Sequence, residues 1–237
     1  MSTYIIVGFA WLTLTFMIVT FTTWLSAKKG VHYLIALYTG LVVISAVTAS
    51  KLISIGTISI GRFNFNINVP AGVLVFSATF LITDIISEMW DKSKAEIAVW
   101  SGFFCLIFYA AYTYLSVRWP ASPFWENQCA YETIMLSSVR IAMAGPIAFI
   151  ISQQVDVFIF HSMKEREGKS KLWIRNNVST AISQSIDSIV FITIAFYGLF
   201  PIWPLILGQY FVKLIIAVSD TPFIYLSRWL FNKYKKD

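Results

Sequence analysis

The 237 residues are 57% hydrophobic and only 13% charged, with 20 Phe, 11 Tyr and 9 Trp, whereas a soluble domain carries about 25% charge. Too little polar surface remains to coat a water-exposed globule, and the low content of Gly, Pro and Cys (11, 7 and 2) excludes collagen, a low-complexity chain and a disulfide-stapled scaffold. An integral membrane protein is left, and its net charge of +6 is informative through its distribution, with no nucleic-acid partner implied.

A helix needs about 20 apolar residues to cross the hydrocarbon core. That ruler gives seven candidate spans, at 4–25, 33–56, 70–90, 95–116, 134–160, 178–200 and 205–227. The first lacks a basic leader and is followed by Lys28-Lys29, the reverse of a secretory signal, so it reads as a retained span. Pro201 and Pro204 split the long apolar run after Ser188 into two spans joined by a tight turn. Between spans two and three, residues 57–69 alternate apolar and polar around Gly61-Arg62, a signal for a short β-hairpin. Between spans four and five, Trp119, Phe124, Trp125 and Tyr131 read as an aromatic belt at the membrane interface.

Basic residues alternate in side. Lys28 and Lys29, Lys92 and Lys94, the group Lys164, Arg166, Lys169, Lys171 and Arg175, and the tail residues Arg228, Lys233, Lys235 and Lys236 all fall on one face of a seven-span chain. The opposite face holds Arg62 and Arg118. Cytoplasmic loops carry the excess of Lys and Arg, so the N-terminus is expected outside, the hairpin extracellular and the C-terminus cytoplasmic. The expected fold is all-α and polytopic. It is a single transmembrane domain over 1–237.

Ionisable groups inside the spans point to function, because each costs about 2.5–3.5 kcal/mol at a span centre and must face protein or water. Asp84 and Glu88 lie one turn apart on span three, and span five carries Arg140, Gln153, Gln154 and Asp156. Gln184 and Asp187 share a face of span six, and Gln209, Lys213 and Asp220 lie on span seven. Together they suggest a lined cavity. The bland alternative is that Lys213 pairs with Asp187 or Asp84 only to hold helices together. Gly145-Pro146 and Asp220-Thr221-Pro222 are expected to interrupt spans five and seven, which makes Arg140, Asp220 and Pro222 candidates for a gate. His32 and His161 stand alone at span ends, and no P-loop, G-x-S-x-G or G-x-G-x-x-G is present. The expectation is therefore no enzyme, no metal and no cofactor.

Four stretches occur in a fixed order: Phe80-Leu-Ile-Thr-Asp84-Ile-Ile-Ser-Glu88, Ser152-Gln-Gln-Val-Asp156, Gln184-Ser-Ile-Asp187, and Tyr210-Phe-Val-Lys213 followed by Thr221-Pro222. Together, across roughly Lys51 to Arg228, they resemble the queuosine precursor transporter family, also called the vitamin uptake transporter family. Met89-Trp90-Asp91 and Asp187-Ser188 depart from the family's usual Gly and Asp-Thr, and neither removes a carboxylate. The resemblance implies a multi-pass transporter of the bacterial inner membrane, with a peripheral first span (4–25) and a six-helix transport core (33–227), that imports a deazaguanine base bearing a cyano or aminomethyl group (preQ0 or preQ1), or queuine. It also implies alternating access at an acidic midplane site, with proton coupling left open. On that reading Asp84 and Asp187 accept from the N–H and NH₂ edge of the base, and Gln153 and Gln184 serve its carbonyl and ring nitrogen. Glu88 or Asp156 forms an inner gate or takes a proton, Lys213 balances the acidic cavity, and a cationic aminomethyl arm is drawn to a second carboxylate. Its partners are the small-molecule substrate and the bilayer, and a homodimer is neither required nor excluded. Two alternatives stay open: a substrate-binding subunit of a multicomponent importer, and a retinal-binding photoreceptor with its chromophore on Lys213.

Overall fold

The computed structural model describes residues 3–60, 63–167, 172–219 and 221–234. Within them lie α1 (Thr3–Lys29), α2 (His32–Thr48), β1 (Leu52–Ile60), β2 (Phe63–Pro70), α3 (Gly72–Met89), α4 (Lys92–Arg118), α5 (Gln128–Glu167), α6 (Leu172–Phe196), α7 (Ile202–Ser219) and α8 (Thr221–Tyr234). Four of these helices contain stretches long and apolar enough to cross a membrane: Ile6–Lys29, Gly72–Met89, Lys92–Arg118 and Gln128–Ser152. His32–Thr48, Ala181–Phe196 and Ile202–Ile216 are shorter apolar helices. Hydroxyls within the helices turn back on their own turn, as in Thr23 to the Val19 carbonyl and Ser77 to the Val73 carbonyl, at 2.8 and 2.7 Å. That satisfies them where lipid offers no partner.

Two of the expected spans differ in the structure, and a third is broken where expected. The second span was expected to run over 33–56, but α2 stops at Thr48, where the Ala49, Ser50 and Lys51 amides close a turn on the carbonyls of Ser45, Val47 and Thr48. Residues from Leu52 onward enter β1 instead. The chain stays largely apolar across that boundary, but the β-branched alternation Ile53, Ile55 favours a strand. Span five was expected to be interrupted at Gly145-Pro146. The helix α5 instead continues through Pro146 over 40 residues, about 60 Å at 1.5 Å per residue, twice the hydrocarbon thickness. Span seven, expected at 205–227 with an interruption at Asp220-Thr221-Pro222, is broken there: α7 ends at Ser219 and α8 begins at Thr221. Pro222 therefore falls in the first turn of a new helix, where its missing N–H costs nothing. Asp220, like the Gly61-Arg62 turn, lies outside the described residues.

The two strands pair antiparallel from Leu52–Pro70 to Ile60–Phe63, with a register shift between Ser54 and Gly56. Along β1 the apolar residues change phase, from Ile53 and Ile55 to Ile58 and Ile60. The bulge absorbs the extra residue, so that Ile53 stands opposite Val69 and Ile58 opposite Phe65, while Ser54 and Thr57 stand opposite Asn68 and Asn66. A strand of period two can change phase this way without mispairing its faces.

The ribbon's base is fixed by close backbone approaches. A Cβ on Gly72 would stand 2.2 Å from the Ser45 carbonyl oxygen, and one on Gly208 would stand 2.5 Å from that of Asn68. Glycine at these points lets α3 press on α2, and α7 on β2. The Ala71 amide donates to the Lys51 carbonyl at 2.8 Å, closing the neck of the ribbon.

The two ends of the helical bundle have different characters. At one, Lys28 of α1 lies over the rings of Trp24 and Tyr234, and Trp90 meets Phe231 edge-on at 4.6 Å. This brings the end of α1, the α3–α4 connection and the end of α8 together. At the other, the ribbon neck meets the start of α7 at Gly208 and the start of α5 through Ser50, whose hydroxyl reaches the Ile134 carbonyl at 3.4 Å. The helix α1 packs on α8, α2 and α3, with Phe16 stacked on Phe223 at 4.3 Å. Among the described residues it contributes nothing to the cavity beneath the ribbon.

Candidate functional site

A cavity opens below the ribbon neck, enclosed by α2, α3, α4, α5, α6 and α7 with Pro70 at its top. Most of the wall is apolar: Val42 and Ala46 from α2, Val73 and Phe76 from α3, Leu106 from α4, Ile141 from α5 and Phe191 from α6. Its polar part comes from Asp187 of α6 and from Gln209 and Lys213 of α7, with Ser45 on the α2 side. Asp187 and Phe191 are four residues apart, as are Gln209 and Lys213, so each pair shares one helix face. The two helices run in opposite senses across the turn at 197–201 and present those faces to one another.

Lys213 Nζ donates to Asp187 Oδ2 in a close ion pair, and both residues are 6% exposed. Asp187 lies nine residues before the end of α6 and Lys213 eleven after the start of α7. At 1.5 Å per residue these are about 14 and 16 Å from the helix ends, near the middle of a core about 30 Å thick. Two opposite charges at that depth persist because each neutralises the other, and removing either alone would strand its partner. Gln209, 2% exposed, lies one turn from Lys213 toward the ribbon.

The cavity holds about 40 Å³. An apolar void of roughly 150 Å³ accommodates benzene, so a bicyclic base enters only when the wall side chains part. Phe76 and Phe191 are the large rings in that wall. On the α5 side, Ala142 and Gly145 line the cavity. Pro146 has no N–H to give to the Ala142 carbonyl four residues back, so that carbonyl lacks its helical partner.

The remaining sequence candidates are spread out. Asp84 is exposed on the face of α3 that also carries Ser87 and Glu88, opposite the buried Leu81, Ile82, Ile85 and Ile86. Glu88 pairs with Arg228 of α8 at 3.5 Å. Gln184 lies one turn from Asp187, and its buried Oε1 has no hydrogen-bond partner among the described residues. Arg140 is committed to the end of α6, donating from Nε to the Ile194 carbonyl at 2.6 Å and from Nη2 to the Tyr197 carbonyl at 2.8 Å. These are carbonyls a helix end leaves open. Pro222 is exposed. The side chains of Gln153 and Asp156, and the whole of Asp220, lie outside the described residues. Gln209, counted among the polar groups of span seven but given no role, completes the site with Phe76, Phe191 and Ala142, which were not singled out. Gln209 carried a signal, since it stands at helical spacing from Lys213 in a span where amides are costly.

Residues 70–227 match a family described as "Putative vitamin uptake transporter". The chain belongs to the vitamin uptake transporter family. It is a membrane transporter and a multi-pass integral protein of the bacterial inner membrane. The transporter is 28% identical over 168 residues to a protein of Bacillus subtilis (strain 168) named "Probable queuosine precursor transporter", a match that covers 69% of this chain and 73% of that one. It is 25% identical over 136 residues to a protein of the same name from Haemophilus influenzae (strain ATCC 51907 / DSM 11121 / KW20 / Rd), covering 56% and 54% of the two chains. No solved structure matches it at a significant level. The match begins at Pro70 and leaves α1, α2 and β1 outside, while every helix from α3 to α7 falls within it.

Proposed function

We propose that this transporter imports a queuosine precursor, a planar deazaguanine base, by alternately exposing the cavity between α2, α3, α5, α6 and α7 to the two sides of the membrane. The observation that carries the reading is the buried Asp187–Lys213 pair, set at mid-depth in the wall of an otherwise apolar cavity. The names of the Bacillus and Haemophilus relatives supply the substrate class. The family match leaves the retinal alternative without support.

The wall chemistry suits a guanine-like edge. Asp187 gives one oxygen to Lys213, and its other oxygen can accept from a ring N–H or exocyclic NH₂. The Gln209 amide can both donate to a ring carbonyl and accept. Phe76 and Phe191 offer faces for stacking on a planar base. Deeper along α6, Gln184 Oε1 has no partner among the described residues, and on α3 Asp84 and Glu88 share an exposed face. A carboxylate exposed at that depth is costly against lipid, which favours a watered vestibule there, with the Glu88–Arg228 pair at its mouth.

Seven spans, α1 to α7, account for the helix order, and α8 packs along the C-terminal half of α1, from Phe223 beside Phe16 to Tyr234 beside Trp24. Lys28, the α3–α4 connection followed by Lys92 and Lys94 in the first turn of α4, and the end of α8 that bears Lys233 gather at one end of the bundle. Excess positive charge marks the cytoplasmic side, so the ribbon end is extracellular. The cavity is roofed on that side by Pro70 and Gly72.

The test is uptake of labelled deazaguanine base by cells that lack their own route for it. Expression of this chain should restore uptake, and Asp187→Asn should abolish it at matched membrane levels. Wild-type uptake by Asp187→Asn would remove Asp187 from the site, and no uptake of any such base by the native chain would remove the substrate assignment.

A further inference from the structure

The cavity wall carries its own counter-ion, and this bears on which base it accepts. A queuosine precursor can bring an uncharged cyano substituent or an aminomethyl group that is cationic at neutral pH. The sequence suggested that a second carboxylate would draw the cation, and the carboxylates of α3 are the obvious source. Neither is in the wall: Asp84 is exposed on another face of α3 and Glu88 is engaged with Arg228. Among the described residues the ionisable groups lining the cavity are Asp187 and Lys213, and these neutralise one another.

We propose that the pocket selects an uncharged planar base over the same base carrying a cationic arm, with Lys213 as the residue that sets this preference. The inference rests on the deazaguanine reading above and sharpens it.

The physical argument has two parts. The cavity wall is made mainly of Val, Ala, Leu, Ile and Phe side chains, where an added unpaired ammonium would lose its hydration without gaining a partner. Lys213 also holds Asp187, the one carboxylate lining the cavity among the described residues. A cationic arm must therefore either remain unpaired or displace the Lys213 ammonium, which would then be the unpaired charge. A neutral base needs neither, because it can use the second oxygen of Asp187 and the Gln209 amide while the ion pair stays intact. Lys213 acts here as a positioning and charge-setting residue, and the readout that distinguishes it from a merely structural residue is the ratio of affinities.

Competition binding to the full-length protein in lipid nanodiscs, with labelled cyano base as the probe, measures that ratio. The unlabelled competitors are the cyano base, the aminomethyl base and guanine. The native protein should bind the aminomethyl base at least tenfold more weakly than the cyano base. Lys213→Met frees Asp187 and should shift the ratio at least tenfold toward the aminomethyl base. The doubly neutral variant Asp187→Asn with Lys213→Met should not shift it that way. Should Lys213→Met fail to fold, the native ratio together with the double variant decides the matter. Equal or tighter binding of the aminomethyl base by the native protein would overturn this inference and leave the deazaguanine reading standing. An unchanged ratio in folded Lys213→Met would also overturn it. Absence of binding by both deazaguanine bases would instead overturn the underlying functional reading.

Discussion

At the scale of single residues, Asp187 and Lys213 can be separated into a structural and a functional contribution. Removing one member of a buried ion pair costs about 3–5 kcal/mol, because the survivor is left uncompensated, whereas replacing both by uncharged groups of similar size is often neutral. Asp187→Asn and Lys213→Met are each expected to lower the thermal unfolding temperature in detergent, and the double variant should recover most of the loss. Uptake should stay absent in the double variant. Recovery of stability and uptake together would reduce the pair to a helix clamp. Arg140 belongs to the other category. Arg140→Ala leaves the Ile194 and Tyr197 carbonyls without their donor, so it should cost about 1–3 kcal/mol of stability while leaving the relative affinities of the competing bases unchanged. The expense of a polar group at membrane depth made Asp187 and Lys213 legible in the sequence. It could not rank them above Asp84 or Glu88, because that expense is the same whether a side chain faces a cavity, a vestibule or an ion-pair partner on α8. The freed carbonyl of Ala142 was legible only as a proline in a span, since the sequence does not tell which wall that proline serves.

At the scale of elements, the ribbon and α7 behave as one unit. Gly208 allows the start of α7 to lie on the Asn68 backbone, one residue before Gln209, and Pro70 at the end of β2 roofs the same cavity. A methyl group on Gly208 meets a backbone carbonyl at 2.5 Å, which the ribbon cannot yield as a flexible side chain would. Gly208→Ala should therefore cost about 1–3 kcal/mol through overpacking, read as a lowered unfolding temperature. It should weaken base binding too, because Gln209 shifts with the helix. A stable Gly208→Ala protein with native affinity would show that ribbon and site are independent. The alternation that signals a hairpin was visible over 57–69, and the tight turn at Pro201 and Pro204 was readable from proline chemistry. The end of α2 was not, because Leu52-Ile-Ser-Ile reads equally well as the last turn of an apolar helix. Its assignment to a strand depends on pairing with β2, a contact between distant residues. The continuity of α5 through Pro146 was hidden for a related reason: neighbouring helices can support a helix whose hydrogen-bond ladder has lost one rung.

At the scale of the whole molecule, a native cysteine tests the orientation proposed from the distribution of charge. Cys129 is exposed at the start of α5 and Cys105 lies half-buried within α4. In intact cells a membrane-impermeant thiol reagent should label Cys129 in the Cys105→Ser variant, and a cysteine placed at exposed Lys233 of the Cys129→Ser protein should stay protected until the membrane is opened. The reverse pattern would invert the topology. The all-helical, membrane-spanning class could be read in advance because lipid imposes length and apolarity on each span. The size of the cavity could not, since it depends on how the wall side chains of six helices meet.

The central claim is that a single chain moves a deazaguanine base through the site built on Asp187, Gln209 and Lys213. Uptake of labelled cyano base by proteoliposomes containing only the purified protein tests it most directly, with the doubly neutral Asp187→Asn, Lys213→Met variant beside it. The account predicts saturable accumulation by the native protein and none by the folded variant. Equal accumulation by both would contradict the site, and no accumulation by the native protein despite tight binding would contradict autonomous transport, leaving a capture subunit that works with a partner.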